Sequence, residues 1–122
     1  ISDPYRFAQV QAFNSYLCST VHVAHAHKHR GARWTDDPAA QAALTRNIPV
    51  TMTAAFELIE QDMIAGPWVM GEAFTVCDPY LFTLSRWLEG DSVDISRFTR
   101  VHAHFQRMLE RPVTQAVLKL HA

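Results

Sequence analysis

The chain is poor in the residues that interrupt regular structure. It has four glycines and six prolines among 122 residues, while 48 % of the chain is apolar. That balance excludes a disordered chain and leaves enough apolar side chains for a hydrophobic core. Two cysteines, Cys18 and Cys77, are too few for a disulfide framework and suit a reducing cytoplasm. Neither sign of charge is in excess: 11 Lys and Arg face 12 Asp and Glu, for a formal charge of −1. Without a basic block, no nucleic acid or anionic membrane partner is expected. No apolar run reaches the roughly 18 residues of a membrane span, and the opening stretch does not read as a signal peptide. Internal repeats are missing, and no segment alternates with period two.

What remains is helical periodicity. Val10, Phe13, Leu17, Val21 and Ala24 recur at three- and four-residue steps, between a start signal at Asp3-Pro4 and a stop at Gly31. A second run opens at Asp37-Pro38, carries Leu44, Ile48, Met52, Ala55, Ile59 and Met63 on one face, and ends at Gly66-Pro67. Pro49 lies inside it and either kinks one helix or restarts a second. Thr75 and Asp78 have the spacing of a capping box, in which the hydroxyl accepts from the Asp78 amide and the carboxylate reaches back to the Thr75 amide. The helix they open holds Leu81, Phe82, Leu84, Trp87 and Leu88, apolar nearly all round, and reads as buried and central. A further helix over residues 96–110 presents Phe98, Val101, Phe105 and Met108, and Pro112 opens a last one through Val113, Val117 and Leu120. The expectation is an all-α bundle of five or six helices, with residues 1–122 forming one domain.

The stretch "WVMGEAFTVCDPYLFTL", followed by "FTRVHAHFQRMLERPVTQAVL", resembles the C-terminal helical domain of glutathione transferases. The residues that carry the likeness are Trp68, Gly71-Glu72, Thr75, Cys77, Asp78, Arg111-Pro112 and Ala116. Cys77 stands where the family usually has Ala. Pro79 removes a first-turn amide, which weakens a staple on Phe74 or leaves Tyr80 to complete it. The resemblance implies that the glutathione site lies mainly in a thioredoxin-like N-terminal domain, of which nothing is seen here. The chain, which does not begin with Met, then reads as the second half of a two-domain transferase or as a stand-alone helical module. The implied partners are that N-terminal domain, a second copy in a homodimer, and a small hydrophobic electrophile. Glutathione is the co-substrate of the whole protein, and no cofactor is expected on this domain alone. A rival reading is a non-catalytic interaction module of the same descent.

Four histidines crowd Thr20–Gly31. At about 100° per residue, Gln11, Asn14, Cys18, His22, His25 and His29 form a polar stripe beside the apolar face. The resemblance implies that this flank lines the co-substrate cleft. It makes Asn14, Cys18, His22 and His25 substrate-binding candidates, and His22, in a Ser-x-x-His context with Ser19, the one candidate catalytic residue. Val23 departs from the Lys that often follows. Two other readings of His22 stand beside this one: a half-exposed histidine with no task, or a metal ligand with His25 and His29. Ligands strung along one straight helix span too much length for a tetrahedral site, so no physiological metal is expected. Among the remaining residues, Cys18 reads as packing or as a cleft thiol, and Cys77 as buried structure. Asp78 reads as a cap and not a catalytic carboxylate, and Trp34 as an exposed aromatic. Arg111 is expected to pin the last turn to a carbonyl or acid. His102 and His104 are expected to have no role.

Overall fold

The computed structural model describes residues 2–122. Apart from an isolated antiparallel bridge between Trp68 and Gly71, its regular elements are all helical. They are α1 (Pro4–Tyr16), α2 (His22–Ala26), α3 (Pro38–Arg46), α4 (Ile48–Leu58), α5 (Cys77–Ser85), α6 (Thr99–Leu109) and α7 (Pro112–Leu120). A π turn at Leu17–Val21 joins α1 and α2 into one continuous helix, so the described residues form an all-α bundle of six helices.

Local chemistry sets the helix starts. Asp3 accepts from the Tyr5 amide at 3.0 Å with Pro4 at the first helical position. Asp37 repeats the device before Pro38, accepting from Ala39 at 3.0 Å. Pro49 restarts the chain: α3 ends at Arg46, Asn47 is the joint, and α4 begins at Ile48. The amino end of α6 is capped over a long range. The Glu60 carboxylate, in the turn after α4, accepts from the Arg100 and Val101 amides at 2.8 and 2.9 Å.

The core follows the expected periodicity. Val10, Phe13, Leu17, Val21 and Ala24 are all buried, as are Ile48, Met52, Ala55 and Ile59. Packed against α1 and α6 runs α5, which buries Cys77, Asp78, Leu81, Phe82, Leu84 and Ser85. Each fully buried Leu or Phe contributes about 1.5–3 kcal/mol relative to exposure. One expectation fails at the margin. The first helix ends at Ala26, short of Gly31, which opens a 3-10 turn instead. The apolar face of α7 is uncovered, with Val113, Val117 and Leu120 exposed at 67, 47 and 81 %.

Candidate functional site

The first polar cluster lies at the start of α5. Asp78 is fully buried, and three groups converge on its carboxylate. Oδ2 accepts from the Thr75 amide at 2.8 Å, while Oδ1 accepts from the Val69 amide at 2.9 Å and lies 3.0 Å from His104 Nε2. The Thr75 hydroxyl accepts from Cys77 at 3.2 Å and not from Asp78, whose amide turns to the Thr75 carbonyl. The expected exchange is therefore shifted by one residue on the hydroxyl side, because the helix tightens from Thr75 into Cys77. The turn that presents Val69 is close-packed. A Cβ on Gly66 would fall 2.9 Å from the Gly71 Cα, and Gly71 itself adopts φ +110°. One carboxylate thus ties this turn, the α5 cap and α6 together.

His104 corrects the expectation that it has no role. It occupies an apolar-face position of α6 between Val101 and Met108, and it is fully buried. A carboxylate only accepts, so Nε2 donates to Asp78, and the enclosed Nδ1 has no partner among the described residues. Arg111 also departs from expectation. Its guanidinium lies 3.5 Å over the Phe74 ring and 5.6 Å over Trp68, with its Nη1 enclosed and unpaired. Arg107 makes the carbonyl contact instead, donating to Pro67 at 2.6 Å. Phe74, 40 % exposed, packs on Arg111 and edge-on to Trp68 in place of a buried staple.

The second polar cluster is the histidine flank. Asn14 is half-buried, with Oδ1 enclosed and unpaired. Cys18 and His22 are exposed on and just after the π turn, which inserts an extra residue into the helical repeat and offsets a uniform 100° projection. His29 lies beyond the end of α2, so the stripe stops at His25. His22 meets Trp87 edge-on with ring centroids 5.2 Å apart, while His25 stacks on the same indole at 4.1 Å and 16°. His25 Nδ1 is 2.5 Å from Oδ2 of Asp91, whose side chain is fully buried. Lys28 Nζ lies 3.5 Å from Asp91 Oδ1 and donates to the Gly90 carbonyl. Sequence reasoning missed Asp91, which follows α5 in an irregular turn and carries no periodic signal. His27 packs on Trp34, an aromatic that is 47 % exposed.

Among the described residues, no three His, Cys, Asp or Glu side chains converge as a metal site. Burial raises the pKa of the Cys77 thiol, and it likewise raises the Tyr16 hydroxyl, which donates to the Ala55 carbonyl at 2.7 Å. Tyr80 is raised as well, by burial first and then by its nearness to Cys18. Two apolar grooves are open on the surface. One of about 450 Å³ runs past Arg6, Phe13, Met63 and Met70, and one of about 340 Å³ past Phe82, Arg111, Val113 and Val117. Neither includes Asn14, Cys18, His22 or His25.

No family model matches the chain. Two curated relatives do. It is 39 % identical over 51 residues to glutathione S-transferase GstA of Escherichia coli O157:H7, and 40 % identical over 52 residues to glutathione S-transferase GST-4.5 of Xanthomonas campestris pv. campestris. The matched segments are 42 and 43 % of this chain but only 25 and 26 % of those proteins. Among solved structures, a glutathione transferase homologue from Sulfitobacter with bound glutathione aligns over 98 % of this chain, at 40 % identity and a TM-score of 0.95. The chain spans 58 % of that protein. A glutathione S-transferase from Xylella fastidiosa, at 22 % identity and a TM-score of 0.83 over 97 % of this chain and 57 % of its own, shares the fold. With its helices, its core and these relatives, the chain has the fold of the helical domain of glutathione transferases and resembles them in sequence.

Proposed function

We propose that this domain serves a protein that conjugates the glutathione thiolate to a hydrophobic electrophile, and that it forms the wall of the co-substrate cleft. The observation that carries the reading is the likeness to the Sulfitobacter homologue, which spans 98 % of the chain and which binds glutathione in its own structure. In this reading a thioredoxin-like domain holds glutathione and faces the flank of Asn14, Cys18, His22 and His25. His22 is exposed there and free to donate a hydrogen bond to the reacting sulfur or to the electrophile. The uncovered apolar side chains support a second covering body. Val113 and Val117 of α7 line the groove beside Phe82, a surface that water would otherwise solvate. The protein works as a homodimer in the cytoplasm.

The test uses the intact protein. Retention on immobilised glutathione and conjugation of a generic aromatic electrophile are expected, with the rate lowered by His22→Ala. An unchanged rate removes His22 from the site and leaves the fold standing. Neither retention nor conjugation would overturn the transferase reading.

A further inference from the structure

We infer that His25 and Asp91 form a histidine–carboxylate dyad that presents His25 Nε2 as a hydrogen-bond acceptor, selecting co-substrates that carry a hydroxyl or N–H donor. The inference rests on the transferase reading for the identity of the ligand, but its geometry stands apart from that reading.

Asp91 acts as the positioning residue. Its side chain is fully buried, and Oδ2 lies 2.5 Å from His25 Nδ1. A carboxylate can only accept, so the proton between the two belongs to Nδ1. The neutral ring then has its lone pair on Nε2, the same device by which a buried aspartate fixes the tautomer of a catalytic histidine. A buried carboxylate needs a countercharge. Lys28 Nζ, 3.5 Å from Oδ1, which has no hydrogen-bond partner among the described residues, supplies it. The stack on Trp87, at 4.1 Å and 16°, fixes the ring plane, and a flip that exchanged the two nitrogens would give up the bond to Asp91.

Nε2 is where the ligand enters. It has no hydrogen-bond partner among the described residues and is not enclosed, and the His25 side chain keeps 23 % of its exposure. The ring of His22 meets the same indole edge-on at 5.2 Å. The two histidines therefore share one aromatic platform with different offers, a fixed acceptor at His25 and an exposed, unfixed ring at His22. An electrophile with a donor beside its reacting carbon satisfies Nε2, and one without a donor leaves it bare.

Two measurements on the intact protein decide this. Two-bond proton–nitrogen NMR at alkaline pH is expected to show His25 protonated on Nδ1, and Asp91→Asn is expected to shift it toward the Nε2–H form that free histidine prefers. An Nε2–H ring in the unsubstituted protein would overturn the dyad. The second compares kcat/KM for an aromatic electrophile bearing a hydroxyl with that for its methyl ether. The preference for the hydroxyl is expected to fall roughly tenfold in His25→Phe, which keeps a ring on Trp87, the worth of one good hydrogen bond. The same fall is expected in Asp91→Asn. A preference unaltered by both substitutions would overturn the co-substrate contact. Failure to conjugate either electrophile would overturn the transferase reading and that contact with it, while the NMR result would still decide the dyad.

Discussion

Two histidine–aspartate pairs occupy opposite circumstances in this small bundle. His104 and Asp78 are both fully buried, and the carboxylate also receives two backbone amides. Asp91 is just as buried, but His25 keeps an open edge against solvent. The same two side-chain types therefore do different work. Where the imidazole is enclosed with the carboxylate, the pair fastens three segments together. Where one ring nitrogen is left at the surface, the pair has chemistry to offer a ligand. Pairing alone separates neither case; the position of the second nitrogen does.

Substitution can break that contrast. Asp78→Ala removes a charge-bearing acceptor from two buried amides and a buried imidazole, and a loss of about 3–5 kcal/mol is expected in denaturant unfolding. A loss below about 1 kcal/mol would mean that water replaces the carboxylate without penalty. Asp91→Ala is expected to lose less, on the order of 1–3 kcal/mol, because His25 and Lys28 can turn to solvent once released. If Asp91→Ala proved the more damaging of the two, the division between fastening pair and presenting pair would be wrong. Glu60→Ala strips the cap from α6 and is expected to lower stability by about 0.5–2 kcal/mol. The smallest effect concerns the two thiols. Native protein exposed to an alkylating reagent is expected to lose one thiol, Cys18, since Cys77 is fully buried and burial raises its pKa. Two thiols lost at equal rates would mean that the α5 start opens readily. The pH dependence has a fixed sign. The unfolded chain ionises Cys77 and Tyr16 before the folded chain does, so their contribution is intact below the ordinary thiol and phenol range and falls as pH rises through it.

The helices were legible because they rest on short-range rules. The five residues Val10, Phe13, Leu17, Val21 and Ala24 read as one face and are buried as one face. The Thr75–Asp78 contact spans three residues, which spacing alone is enough to suggest. The partners across the fold were not legible. Glu60 reaches Arg100 across 40 positions, and His25 reaches Asp91 across 66. Nothing local marks either acceptor: Glu60 lies in the π-helical turn after α4 and Asp91 in the irregular turn after α5. His104 is legible in the sequence on a different ground. A polar residue at the place where a helical face demands an apolar one needs a buried partner, and Asp78 was the nearest acid on a buried helix. The π turn at Leu17–Val21 left no trace in the pattern, because the apolar positions before, within and after it are all buried.

The most direct test of the account is the structure of the intact protein with the glutathione conjugate of a hydroxylated aromatic electrophile bound. The aromatic half is expected against Trp87, its hydroxyl within hydrogen-bond reach of His25 Nε2, and His22 beside the thioether sulfur. A conjugate seated elsewhere, with Trp87 and both histidines facing solvent, would contradict it.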